Sequence, residues 1–242
     1  MEKEKNLHEG HRQRLKNRFL ESGLDSFQPH NILELLLFYS IPRKDTNDIA
    51  HDLIEKFGSL SGVFDANIED LVKVDYITEN SATLIKLIPA ISRSYLIDKT
   101  SKVSNITDLS ATKNLLLSLF HGETSECVYV FFLNNKFDII DYKKVHEGSV
   151  NSSTVDTRKI LEYVIKFNAS MIVFAHNHPS GHLCPSIDDI ETTGNLATIF
   201  SAFSIPVAEH FVVNEVDCYP IIHNTVSLKV GNEVNKRLFG EF

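Results

Sequence analysis

Residues 169–175 read Ala-Ser-Met-Ile-Val-Phe-Ala and run without a charge into His176-Asn177-His178-Pro179. An apolar run this short, with β-branched and aromatic members, predicts a buried strand rather than a helix. A strand buried on both faces needs covering layers on both sides, so the chain around it is expected to be α/β. The neighbouring sequence agrees. Thr157 to Phe167 has helical spacing in Ile160, Leu161, Val164 and Ile165, and Ser186 to Phe203 reads as a helix with Ser186 as N-cap and Asp188 and Asp189 in its first turn. Strands are expected over Cys127–Leu133, over Phe137–Val145 after an Asn134-Asn135 turn, and over Pro206–Val213, with a helix over Ala111–Phe120. The expected fold is an α/β domain with a mixed central sheet flanked by helices.

The first hundred residues have a different texture. Pro29 opens an apolar cluster from Leu33 to Phe38 that Pro42 should end near Ser40. Thr46 to Phe57 is helical with Gly58 as its C-terminal cap, and Asn67 precedes a short helix through Ile68, Leu71 and Val72. A further helix starts at Thr78 or Asn80 and is expected to stop before Pro89. This is a small all-helical domain. Asp98 to Ser110 is polar and reads as a linker or exposed connection, which divides the chain into 1–102 and 103–242.

Composition narrows the function classes. A net charge of -8 over 242 residues excludes a protein that coats nucleic acid with its whole surface. The three cysteines, Cys127, Cys184 and Cys218, include no CxxC pair and fit a reducing compartment. No signal peptide is evident, and the longest apolar stretches fall short of the ~20 residues of a bilayer helix. A soluble, cytoplasmic protein with no membrane partner is the expectation.

The chemistry concentrates after residue 175. Histidines at i and i+2 on extended backbone point the same way, so His176 and His178 can reach one ion. Asp189, on the first turn of the following helix, can bring a carboxylate to the same point. Two histidines and a carboxylate are a common catalytic zinc set, with a fourth position left for water. Zinc lowers that water's pKa toward ~7, and Ser186 lies close enough in sequence to assist a developing oxyanion. Histidines at a strand end are also ordinary polar surface, and Ser186 before two acids is also an ordinary helix cap. Spacing alone leaves both readings open.

The longer pattern, His176-Asn177-His178-Pro179-Ser180-Gly181 followed by Pro185-Ser186-Ile187-Asp188-Asp189, resembles the JAMM (MPN, JAB) metalloprotease signature, and in particular its RadC branch. Gly148 to Ser153 resembles a further segment of that branch, and Arg158 its helix-start arginine. The resemblance implies a JAMM-type domain with cytidine-deaminase-like layering, one Zn2+ per chain held by His176, His178 and Asp189, and Ser186 polarising a carbonyl. It also implies a glutamate base at the start of the domain's first strand. Glu126 matches that position, with Glu147 as its rival. Glu209-His210 lies where the branch often has Asp-His; acid and imidazole either hydrogen-bond there and support the ligands from behind or play a structural part. Asn177 and Ser180 are expected to shape the ligand loop, and His182 and Cys184 to be bystanders within it.

The function implied is zinc-dependent hydrolysis of a peptide or isopeptide bond, with a protein or peptide as substrate. The alternative is a DNA-repair-associated or protein-binding accessory factor whose metal site is non-hydrolytic. Nucleoside deamination lacks the HxE and PCxxC arrangement it requires. The N-terminal helices resemble a helix-hairpin-helix module, but Val74-Asp75-Tyr76-Ile77-Thr78 has an acid and no glycine where a phosphate would approach. Residues 1–100 carry 13 Lys and Arg against 16 Asp and Glu, which supplies no net positive field for DNA. One basic cluster, Arg12, Arg14, Lys16 and Arg18, is a candidate nucleic-acid contact or a solvated helix face.

Overall fold

The structure, a computed structural model, describes residues 7–100, 103–148, 155–230 and 232–239. In chain order the elements are α1 (Leu7–Ser22), α2 (Pro29–Leu37), α3 (Asn47–Phe57), α4 (Leu60–Asp65), α5 (Ile68–Leu71), α6 (Glu79–Thr100), α7 (Leu109–Phe120), β1 (Cys127–Leu133), β2 (Ile139–Glu147), α8 (Thr157–Phe167), β3 (Met171–Asn177), α9 (Ile187–Ser201), β4 (Val207–Val213), β5 (Cys218–Pro220), α10 (Ile221–Asn224), α11 (Val226–Lys229) and α12 (Glu233–Phe239). They form two compact units, Met1–Ile91 and Ser92–Phe242, with the division inside α6.

The first unit is all helical. Leu33, Leu37, Ile49, Leu53, Val63, Leu71, Ala82 and Ile85 make its core. Gly58 caps α3 in the left-handed conformation (φ 80°), which a residue without Cβ adopts at no steric cost. Tyr76 adopts positive φ (66°) in the turn before α6, so the hairpin that lacks glycine still takes a glycine-like backbone.

The second unit is built on a five-stranded sheet of order β2-β1-β3-β4-β5. β1 is antiparallel to β2 and β3, β3 is parallel to β4, and β5 is antiparallel to β4, so the sheet is mixed. Every residue of β1, β3 and β4 is buried. Alternation sends Tyr129, Phe131, Met171 and Val173 to a core shared with α7 and α12, and Val130, Phe132, Ile172 and Phe174 to one shared with α8 and α9. The parallel β3–β4 pair is joined through α9, which carries the helical half of the site over the sheet.

Two sequence expectations are corrected. Pro89 does not end its helix. α6 runs through it to Thr100. A proline removes its own N–H bond and crowds the carbonyl four residues back, but it leaves later residues free to continue. Those later residues have partners: Arg93 bonds Glu123 and the Tyr129 hydroxyl, and Ile97 packs on the core of the second unit. The polar stretch that follows is not simply an exposed connection either. Val103 and Ile106 pack into that same core, and Asn105 bridges to Asp138.

Candidate metal centre

β3 ends at Asn177, and the His178 N–H extends its ladder to the Val213 carbonyl (2.9 Å). The extended backbone therefore persists through both histidines and keeps their side chains on one face. Pro179 and Ser180 are exposed at the turn, which the Gly181 N–H closes onto the His178 carbonyl (3.0 Å). Gly181 takes φ 83°, a conformation that favours glycine. The chain then enters α9 through a capping box. Ser186 Oγ accepts from the Asp189 N–H (3.1 Å), and Asp189 Oδ2 accepts from the Ser186 N–H (2.7 Å). That cap brings the Asp189 carboxylate back to the strand end.

The result is a tight cluster. Glu126, His176, His178 and Asp189 each present one donor atom, and the four atoms lie within 4.8 Å of one another. His176 Nε2 stands 3.0 Å from His178 Nε2 and 3.2 Å from Asp189 Oδ1, and His178 Nε2 stands 3.4 Å from Asp189 Oδ2. Adjacent donors in a tetrahedral shell with bonds of ~2.0–2.1 Å are about 3.3 Å apart. The observed distances bracket that value, with Asp189 turning a different oxygen to each imidazole. His178 Nδ1 meets the His182 carbonyl at 2.8 Å; a carbonyl only accepts, so the proton sits on Nδ1 and Nε2 is left bare in the neutral ring. The donor set suits a cation.

The Asp189 carboxylate dominates the local electrostatics. Burial pushes Asp189 up, but the adjacent His176 and His178 rings and Ser186 outweigh burial and hold it well below the usual carboxylate range. The Asp189 carboxylate in turn raises His178, against the effect of its partial burial. His210 is fully enclosed behind His176, and burial lowers it well below an ordinary imidazole.

Glu126 reaches the cluster through Asn177. The Asn177 amide accepts from the Cys127 N–H (2.7 Å) and donates to the Ser125 carbonyl (3.0 Å), so it brackets Glu126 on both sides. Glu147, the rival, lies outside the cluster. It is exposed, salt-bridged to Lys144 (2.9 Å) and bonded by Ser125, and the Lys144 bond lowers its pKa. Ser186 is exposed at the rim, with its hydroxyl proton donated to Asp189 Oδ2 (2.6 Å). The His182 and Cys184 side chains are exposed in the loop and are not part of the cluster.

The side chains of Glu209 and His210 do not pair with each other, and the two residues divide the two expected roles. Neighbours on a strand point to opposite faces. His210 Nε2 faces His176 Nδ1 (2.8 Å). Glu209 turns to the far side, where it accepts from the N–H groups of His210 (2.7 Å), Ile222 (2.7 Å) and His223 (3.0 Å) and from Asn235 Nδ2 (3.0 Å). Burial pushes Glu209 up to about 7 against those four donors. Thr193 is a site neighbour that sequence reading missed. It lies four residues after Asp189 on α9, and that spacing, which puts both on one helix face, was the signal available.

The other candidates lie elsewhere. Arg12 donates to the carbonyls of Ile41 (2.6 Å) and Lys44 (2.5 Å) and lies over Phe38, Arg18 bonds Asn31 (3.1 Å) and lies over Phe27, and Lys16 lies over Tyr39. Arg14 is exposed on the same helix. Arg158 is exposed and paired with Glu162 (3.4 Å). Residues 149–153, most of the segment with the family resemblance, lie outside the described residues. No helix among the described residues is long and apolar enough to cross a membrane.

Residues 106–226 match the RadC-like JAB domain. The UPF0758 protein FN0909 of Fusobacterium nucleatum subsp. nucleatum is 38% identical over 221 residues, which span 86% of this chain and 92% of that protein. The UPF0758 protein SPO0054 of Ruegeria pomeroyi is 28% identical over 205 residues, spanning 85% and 92%. The Fusobacterium alignment extends well beyond the matched domain into the helical segment. A mixed sheet, a His-x-His strand end, a capped aspartate and matches of this extent lead to one conclusion: the chain belongs to the RadC-like JAB-domain family.

Proposed function

We propose that this protein is a zinc-dependent hydrolase that cleaves a peptide or isopeptide bond. The observation that carries the reading is the convergence of Glu126 with His176, His178 and Asp189 within 4.8 Å. Two imidazoles and a carboxylate suit zinc better than the oxygen-seeking ions. When bound, the ion supplies Lewis acidity, bringing the pKa of a water toward ~7 and polarising a carbonyl.

The protein's own groups do the rest. His176, His178 and Asp189 would hold the ion. Glu126 takes a proton from the attacking water and returns it to the departing amine. Ser186, on the exposed rim, turns its hydroxyl from Asp189 toward the oxyanion as charge develops there. A protein or peptide is the substrate class that fits amide chemistry. A second reading, a metal-holding accessory factor without hydrolysis, draws on one observation: the Ser186 hydroxyl proton is already donated to Asp189 Oδ2.

The test is metal content and cleavage of a mixed peptide and isopeptide pool, followed on the same samples. Wild type is expected to carry about one zinc per chain and to cleave. The His176→Ala, His178→Ala double variant loses both. Glu126→Gln keeps zinc and loses hydrolysis by at least ~100-fold, within the range a general base contributes. Unchanged hydrolysis in Glu126→Gln removes that residue from the base role. Stoichiometric zinc without any cleavage favours the accessory factor.

A further inference from the structure

A metal-binding imidazole must present a bare nitrogen, and something must hold its proton on the other one. For His176 the proton can be traced through three buried groups. Thr193 Oγ1 lies 2.6 Å from the Asp189 main-chain carbonyl, four residues back on α9. A carbonyl can only accept, so the single hydroxyl proton of Thr193 is spent there. Thr193 Oγ1 also lies 2.7 Å from His210 Nδ1, and with its proton committed it can only accept from that nitrogen. The proton of His210 is therefore on Nδ1.

His210 Nε2 is then a lone pair, and it lies 2.8 Å from His176 Nδ1. His176 must donate across that contact. A neutral His176 then carries its proton on Nδ1, against the pull of the Asp189 carboxylate 3.2 Å from its Nε2, and that Nε2 is left bare toward His178 and Asp189. Burial removes solvent from these contacts. His176, Thr193 and His210 are 0%, 1% and 1% exposed, so no bulk water offers an alternative partner. Among the described residues the two His210 nitrogens hydrogen-bond His176 and Thr193, neither of them an anion, and burial outweighs the pull of Asp189 toward an imidazolium.

We infer that Thr193 and His210 are positioning residues, a one-way hydrogen-bond relay from His176 to the Asp189 carbonyl that fixes the tautomer in which His176 Nε2 is open to a metal ion. The inference rests on the reading of this cluster as a metal centre. An ordinary helical threonine also bonds the carbonyl four residues back, so the back-bond alone would be merely structural. The relay adds a direction, because that back-bond forces Thr193 to accept from His210. Without the hydroxyl, His210 is released to carry its proton on Nε2. It then donates to His176 Nδ1 and drives the His176 proton onto the ligating nitrogen.

The experiment combines two readouts on full-length protein. Long-range nitrogen–proton NMR of the metal-free wild type, at a pH where the histidines are neutral, reads the tautomers directly. The expected result is Nδ1–H for both His176 and His210. Zinc affinity is then measured by chelator competition for wild type, Thr193→Val and Thr193→Ser. Thr193→Val keeps the shape without the hydroxyl and is expected to bind zinc ~10–100-fold more weakly, the usual effect of losing an outer partner. Thr193→Ser restores the hydroxyl and is expected to bind within about threefold of wild type.

An Nε2–H tautomer of His176 in the wild type overturns the relay even if zinc binds. Equal zinc affinity in wild type and Thr193→Val overturns it as well, and so does equal weakening in both threonine variants. Failure of the wild type to bind zinc refutes the metal reading separately. The tautomer measurement still decides the relay in that case.

Discussion

Asn177 shows how one side chain serves two structures. Between the two histidines alternation turns it away from them, and there its amide bonds the main chain on both sides of Glu126. Asn177→Ala leaves a buried N–H and a carbonyl without that partner, a stability cost of about 1–3 kcal/mol. Because Asn177 is not itself a ligand, zinc affinity is expected to stay within about threefold while hydrolysis falls ~100-fold, the scale of a misplaced catalytic group. Unchanged hydrolysis would show that Glu126 does not depend on this bracket. The cysteines separate as sharply. Burial pushes Cys127 up to about 12 and Cys218 up to about 11, whereas Cys184 is exposed. The thiolate is the reactive form. In the native protein at pH 8, a thiol reagent is expected to label Cys184 rapidly and Cys127 only on unfolding. Fast labelling of Cys127, read by mass spectrometry, would contradict its burial.

Among the elements, β4 decides most. Its ladder with β3 pairs Ile172 with Val207 but Val173 with Glu209, leaving Ala208 as an extra residue. A one-residue slip exchanges the faces of everything downstream. Without it Glu209 would face α9 and His210 would face α12. With it His210 stands behind His176, and Glu209 collects the Ile222 and His223 N–H groups of α10 together with Asn235 of α12. Glu209→Gln puts an amide N–H where a carboxylate oxygen accepted, so stability is expected to fall by about 1–3 kcal/mol in denaturant unfolding. Zinc affinity is expected to remain within about threefold. Lost affinity with intact stability would mean that Glu209 acts on the metal side. Alternation separates Glu209 from His210 in either register, but no local pattern marks which residue of β4 is extra and therefore which of the two faces the site.

At the scale of the whole molecule, the metal reading has a thermodynamic consequence. An ion that binds only the folded chain adds about 2.7 kcal/mol at a hundred times its Kd. For a protein of this size that is a rise in melting temperature of roughly 5–10 °C. Chelation is expected to reverse it, and the His176→Ala, His178→Ala variant should melt alike with and without zinc. Equal melting of zinc-loaded and chelated wild type would argue against a site coupled to folding. How much of this was legible beforehand depends on range along the chain. The β3 run, the His176 and His178 alternation and the Ser186 cap that returns Asp189 are local, set by residues within a turn or a strand of one another, so sequence by itself determined the candidate donors His176, His178 and Asp189 and the α/β class. Glu126 entered only through family resemblance, because its distance from the histidines in sequence is bridged by strand pairing and by the Asn177 amide. Thr193 carried no motif, α6 continued past Pro89 because Arg93 and Ile97 found partners, and the register of β4 turned on one unpaired residue. Tertiary structure alone decided these, because each depends on contacts between distant segments, which local propensity does not specify.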